Sequence, residues 1–415
     1  MADAVEQAHR TAERVARESY GRLLAFLVVR TRDVEGAEDA LGDAFAAALR
    51  TWPHRGVPAN PDAWLLTAAR NRLTDAGRRH RTQEMGHEQL RVMAEEIDQA
   101  FQTPEEIPDR RLALMFGCAH PAIDASIRAP LILQTILGLT ADAIAAALLL
   151  PAATMSQRLV RAKTRIRQAG IPFRIPDRDE LPERLGAVLE AIYAAYSKGW
   201  AEIGEDGGSP LADEAIWLGR LVVSLLPEEP EAKGMLALML YTEARREARR
   251  DSSGAYVPFG QQDVALWDEA QLRMAEALLH QANAAGPSGR YQIEAAIQSA
   301  HIAHRVSGLD TRRAILALYD HLLVLIGSPV AALNRVVALA AVEGSDAALN
   351  EMRPLASDLR MLRYQPYWAV RGHLLAEVGR KSEAQEALTV AMGLSTDDAV
   401  TRYLQDKCEA LAASD

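Results

Sequence analysis

Between Pro151 and Gly170 the sequence reads PAATMSQRLVRAKTRIRQAG, with five basic residues and no acidic one. Wound as a helix, this stretch gathers Met155, Leu159, Ala162 and Ile166 on one face, enough to bury against neighbours. Arg158, Arg161 and Arg165 lie opposite, with Lys163 and Arg167 to one side, and Thr154, Ser156 and Gln157 occupy the N-terminal end. In a helix-turn-helix the second helix enters the major groove by its N-terminal residues, and basic residues behind them contact phosphates. Arginine bonds guanine edges bidentately and glutamine reads adenine. The competing reading is a solvated basic amphipathic helix. The preceding stretch, TADAIAAALLL with Thr140 as N-cap and a tight turn at Leu150–Pro151, weighs toward the helix-turn-helix.

A second basic cluster runs from Arg70 to Arg81: Arg70, Arg72, Arg78, Arg79 and Arg81 against Asp75 alone. Thr67 and Asn71 add hydrogen-bonding groups on the same predicted helix, with Trp64 and a Pro/Asn loop containing Asn60 before them. Arginines for phosphates beside a pocket for an unstacked base are what single-stranded nucleic acid requires. Trp64 taken alone reads as core, and the two roles can coexist.

Other chemistry-bearing residues form no convincing set. Cys118 and His120 are two ligands where a metal site needs more, and read as a core thiol and a helix-end histidine. His301 and His304, with Asp310 nearby, read as part of a solvated face. GEDGGSP lacks the strand and the lysine of a phosphate loop. No nucleophile–base–orienter set stands out, so no enzyme, metal or cofactor is expected.

These residues need helices to position them. Long Ala/Leu/Glu/Arg runs with a period near 3.6 and few β-branched residues predict an all-α fold. The 415 residues favour two or three domains. Around Tyr20 and Asp33 two helices are predicted, the second carrying Ala37, Leu41, Phe45 and Ala48 on one face and ending at Trp52. A loop, PHRGVPANP, then leads to a third helix with Pro61 in its first turn. Thr82–Asp109 holds eight acids against one base and reads as an acidic linker. The expected divisions are residues 1–81, the linker 82–109, a helix-turn-helix block 110–175, and a helical-repeat region 176–415. In the last of these, Trp368, Gly372, Leu375, Gly379, Ala384, Leu388 and Ala391 have the spacing of a tetratricopeptide-like hairpin, with Gly372 and Ala384 letting two helices approach closely.

Charge is unevenly distributed. Residues 1–178 hold 24 Lys and Arg against 22 Asp and Glu, whereas the rest hold 22 against 34. The back half is therefore a poor nucleic-acid ligand, and protein partners suit it better, its own basic front half among them. Two distant cysteines fit a reducing compartment, and neither a signal peptide nor a membrane span is evident, so a cytoplasmic protein is expected.

The motif set EDALGDAFAAALRTWP…NPDAWLLTAARNRLTDAGRR, followed by a linker and a helix-turn-helix, resembles the extracytoplasmic-function sigma factors of bacterial RNA polymerase. LPERLGAVLEAIYAAYSKGW and GSPVAALNRVVALAAVEG look like the long helical, tetratricopeptide-like extension of one subgroup. The resemblance implies that Glu38, Asp39, Asp43 and Phe45 contact the coiled coil of the polymerase's largest subunit. It implies that Asn60, Trp64, Thr67, Asn71, Arg72, Arg78 and Arg79 open the −10 promoter element and hold one strand. Thr154, Ser156, Gln157, Arg158, Arg161, Lys163 and Arg165 would read the −35 element as duplex, on a block that meets the flap of the second-largest subunit. Gly42 stands where the family usually has glutamine, weakening both a polymerase contact and the helix. The alternative is a one-component helix-turn-helix regulator with a ligand- or protein-sensing repeat domain, and a third reading is a repeat-type adaptor. Neither rival needs a strand-melting module.

Overall fold

The computed structural model describes residues 2–31, 34–77, 109–168, 176–202, 208–286 and 288–413. The acidic linker up to residue 108, Arg78, Arg79 and most of GEDGGSP lie outside the described residues. Among the described residues the regular elements are helices, with an isolated antiparallel bridge between Arg250 and Tyr256. The all-α expectation is met. The chain divides into two compact units, residues 1–198 and 199–415.

In the first unit, α1 (Ala2–Thr31), α2 (Val34–Arg55) and α3 (Pro61–Gly77) pack on one another. The predicted apolar face of α2 points inward, with Ala37, Leu41 and Ala48 buried. The expected stop at Trp52 is wrong: α2 runs through Pro53 to Arg55. Proline is tolerated so close to the end, and the helix stops at Gly56, whose left-handed φ of 83° carries its N–H back to the Trp52 carbonyl at 2.9 Å.

Four shorter helices follow: α4 (Arg110–Cys118), α5 (Ala125–Thr135), α6 (Ala141–Ala147) and α7 (Ala152–Gln168). Asp109 caps α4 and Asp124 caps α5. Thr140 caps α6 as expected, its Oγ1 accepting from the Ala143 N–H at 3.2 Å. The chain between α6 and α7 turns through Leu149, which takes a left-handed φ of 52°, and the two helices bend by 115°. That is the angle of a helix-turn-helix. The two sets of helices touch within this unit. α1 packs on α4, and Gly21 lies so close to α5's end that a Cβ there would stand 2.6 Å from the Ile136 carbonyl oxygen. The helix α8 (Leu181–Ala201) closes the unit with Arg184, whose buried guanidinium donates to the Phe116 carbonyl at 3.2 Å and to Glu180 at 2.8 Å.

The second unit is built from helix pairs. α9 (Pro210–Leu225) and α10 (Pro230–Glu243) pack together, and α10 is buried on nearly every side between α11 (Glu269–Ala285) and α12 (Arg290–Ser307). Its Glu231 accepts from the Tyr291 and Gln292 backbone N–H groups at 3.0 and 3.1 Å, capping α12. Next come α13 (Arg312–Ile326), α14 (Pro329–Glu343), α15 (Ser345–Glu351) and α16 (Leu359–Leu362), then α17 (Gln365–Glu377), α18 (Lys381–Leu394) and α19 (Asp398–Ala413). Ile293, Ile297, Ile315, Leu322, Ala331 and Ala338 form one core cluster across α12, α13 and α14. The α17–α18 hairpin turns at Gly379, φ 77°, and a Cβ on Gly372 would fall 2.8 Å from Leu388 Cγ. The close helix approach expected from Gly372 and Ala384 is present.

Candidate nucleic-acid and polymerase interface

The helix α7 buries Met155 and Leu159 and turns Thr154, Ser156, Gln157, Arg161 and Arg165 to the exterior. Five of the seven residues expected to read duplex DNA therefore stand exposed on the second helix of the helix-turn-helix. Arg158 is half-buried and donates to Ser126 Oγ at 2.5 Å, tying α7 to the start of α5. Lys163 points the other way. It forms an ion pair with Glu38 of α2, and the two side chains are only 16% and 15% exposed. A residue expected on DNA and one expected on polymerase thus meet each other.

The surroundings of that pair are electrostatically tuned. Burial, then the nearby Glu38 and Asp39 carboxylates, push the Tyr20 hydroxyl up to about 12. Its ring stacks on Phe45 with centroids 6.2 Å apart. Cys118 is fully buried and its thiol is pushed far up, chiefly by burial and next by Glu38. It is the core thiol expected from the sequence, and it is protonated and unreactive at neutral pH.

On α3 the strand-binding candidates occupy a different surface. Asn60 caps the helix, its Oδ1 accepting from the Ala63 N–H at 3.0 Å. Trp64 is half-buried and meets the buried Trp52 edge to face, ring centroids 5.5 Å apart. The core contact expected for Trp64 is present, and its side chain is not fully withdrawn from solvent. Thr67 donates its hydroxyl to the Ala63 carbonyl at 2.8 Å. Asn71 and Arg72 are exposed, and Arg72 lies 3.8 Å from Asp43 of α2, a loose surface pair. Asp39, Asp43 and Gly42 are exposed, with open space around the Gly42 Cα.

Comparison with known proteins adds what geometry leaves open. Residues 15–83, most of α1 through α3, match the family Sigma-70 region 2. The chain carries a sigma-70 region 2 domain. This family is one of transcription initiation factors, not enzymes, and such a domain implies binding to RNA polymerase core and promoter DNA. Residues 184–283, from α8 into α11, match a family of unknown function, DUF6596. An uncharacterized protein of Rhizobium meliloti (strain 1021) is 37% identical over 404 residues, 95% of this chain and 94% of that protein. The chain belongs to the same family as that protein along nearly its whole length. No solved structure matches it. Within the region 2 domain, α2 carries Glu38, Asp39 and Asp43, and α3 carries Trp64, Asn71 and Arg72.

Two things the sequence did not reveal. The first is the burial of the Glu38–Lys163 pair, for which helical spacing gives no signal. The second concerns His301, expected on a solvated face. Burial first, then Arg245 and His304, push its imidazole down to about 4, and it packs edge to face on Phe259 with centroids 5.6 Å apart. His304 does remain exposed, its Nδ1 2.8 Å from the Leu309 carbonyl. Among the described residues no group of three or more candidate ligands forms a metal site, and no single helix is long and apolar enough to cross a membrane.

Proposed function

We propose that this protein is a sigma factor of the extracytoplasmic-function type. It directs RNA polymerase core to specific promoters and assists their melting, and its helical, tetratricopeptide-like C-terminal part modulates that activity. The observation that carries the reading is the region 2 match at residues 15–83 followed by a helix-turn-helix whose second helix exposes Gln157, Arg161 and Arg165. In this reading residues 1–81 bind polymerase and the −10 element, 110–175 read the −35 element, and 176–415 form the regulatory extension.

The work is done by differential binding. A surface with affinity for a separated strand shifts the promoter toward the open state by the difference in affinity for the two states. Arginine–phosphate contacts supply much of the binding and make it strongly salt-dependent. Half-buried Trp64, at the head of α3, suits an unstacked base, and exposed Asn71 and Arg72 follow it. On this reading the Glu38–Lys163 pair belongs to a resting form, because Glu38 is needed on polymerase and Lys163 on DNA. The cost of parting the two is a threshold that polymerase and promoter together must supply.

The experiment is reconstitution with core polymerase and run-off transcription from a promoter library. Initiation that depends on the added protein supports the proposal. Tight duplex binding without core enzyme, and no initiation, supports the one-component regulator instead.

A further inference from the structure

The second unit carries an open pocket of about 610 Å³ between the segment after α10 and helices α12, α13 and α14. Two helical stripes face it. Gln298, His301 and Arg305 come from α12, and Arg312, Ile315 and Tyr319 from α13, both at i, i+3, i+7 spacing. Arg245 enters from the segment after α10. The lining thus contains three arginines and no carboxylate, in a half of the chain that is strongly acidic overall.

The guanidinium groups are held in place. Buried Arg245 donates to the Gln298 side chain at 3.2 Å and lies over the Phe259 ring at 4.8 Å. Arg305 donates through Nη2 to the Gln262 carbonyl at 2.7 Å, while its Nε is buried without a hydrogen-bond partner among the described residues. Arg312 is fixed by Asp310 at 2.9 Å. The low proton affinity of His301 reports the same positive surroundings, after burial. His304 and Asn334 add two more polar side chains, and Phe259, Ile315, Val337, Ala338 and Ala341 with the Tyr319 ring form an apolar wall. Arg312 is half-exposed and already paired with Asp310, whereas buried Arg245 and half-buried Arg305 stand beside the apolar wall, where water weakens an ionic hydrogen bond less than at an open surface. A planar guanidinium fork matches carboxylate and phosphate oxygens. The volume is that of a small-molecule site, with an apolar wall and a few convergent polar groups.

We propose that this pocket binds a small amphipathic anion, an apolar or aromatic body bearing one carboxylate or phosphate group, with the oxyanion on Arg305 and Arg245 and the body against Phe259, Ile315 and Tyr319. The assignment stands on the second unit alone and does not depend on the sigma-factor reading.

Titration calorimetry on the full-length protein tests it, with phenyl phosphate and benzoate as probes, benzyl alcohol as the uncharged control and inorganic phosphate as the headgroup alone. The expected result is saturable binding of one or both aromatic anions and none of benzyl alcohol, with inorganic phosphate weaker than phenyl phosphate. A preference for phenyl phosphate assigns a phosphate ligand and a preference for benzoate a carboxylate. Arg305→Leu should weaken binding about tenfold, the worth of one charge-assisted hydrogen bond. Ala341→Trp, which fills the pocket from the exposed side of α14, should abolish binding while the protein still melts cooperatively. The proposal fails if neither anion binds at millimolar concentration. It also fails if benzyl alcohol binds as well as they do, or if a folded Ala341→Trp protein binds them unchanged.

Discussion

Lys163 on the second helix of the helix-turn-helix and Glu38 on the second helix of region 2 form an ion pair, joining residues 125 positions apart with both side chains mostly withdrawn from solvent. A pair this deep lies between two regimes. Exposed pairs contribute almost nothing, and fully buried ones cost several kcal/mol to break from one side. Replacing one partner leaves the other charge withdrawn from water with no counter-charge. Glu38→Gln and Lys163→Gln should each destabilise the first unit by about 1–3 kcal/mol in urea unfolding. The double variant should lose less than the sum, which a double-mutant cycle measures directly. Additive losses would mean that the two charges do not interact in solution.

Gly42 sits mid-helix in α2, exposed, with nothing within 4 Å of a Cβ built there. Glycine at such a position costs the helix about 1 kcal/mol relative to alanine. Gly42→Gln should therefore raise stability by roughly 0.5–1 kcal/mol. If α2 docks on polymerase as proposed, the same variant should bind core enzyme more tightly in a pull-down titration.

Gly372 behaves in the opposite sense. A methyl group there would press on Leu388 Cγ at 2.8 Å and on the Ala384 carbonyl oxygen at 3.2 Å. Gly372→Ala should destabilise the second unit by about 1–3 kcal/mol through overpacking, despite the better helix propensity of alanine. Leu388→Ala alone should also destabilise the buried core, and the double variant should lose less than the sum of the two single losses, since the truncated leucine no longer meets the methyl group. Thermal melts of the three variants check this.

His301 makes stability depend on pH. Its folded-state value is near 4 against an ordinary 6.5, because burial first, then the electrostatic influence of Arg245 and His304, disfavours imidazolium. Between those two values the unfolded chain binds a proton that the folded chain refuses. The contribution is therefore complete above the ordinary value and is lost as pH falls toward 4, up to about 3 kcal/mol in all. His301→Gln should flatten the fall in melting temperature across that window.

If the exposed arginines of α7 contact DNA as proposed, binding carries a salt signature. Arg161 and Arg165 both stand exposed on α7. Replacing both with alanine should weaken promoter binding by the polymerase complex roughly uniformly across sequences and reduce the slope of log affinity against log salt by about 2. Gln157→Ala should instead relax sequence preference and leave the slope nearly unchanged.

Much of this architecture was legible without coordinates, for a local reason. Apolar residues at helical spacing assign the buried faces of α2 and α7, and Ala37, Leu41, Met155 and Leu159 are all in the core. The Thr140 cap and the glycine spacing of the α17–α18 hairpin are equally local, because a cap and a close helix crossing each demand particular small or polar residues. The end of α2 lies past Trp52 because proline is tolerated in a last turn, and the left-handed Gly56 supplies the stop.

The sequence by itself determined which residues are helical, which faces are apolar and where the basic clusters lie, because those properties follow from spacing within a turn or two. Only the tertiary structure decided what each charged side chain faces. Lys163 lies beside a stripe of outward-facing arginines, yet it turns toward Glu38. His301 looks solvent-bound in α12 until its packing against Phe259 is seen. Such pairings arise between helices far apart in the chain, and helical periodicity fixes the direction of a side chain while leaving its partner to the packing.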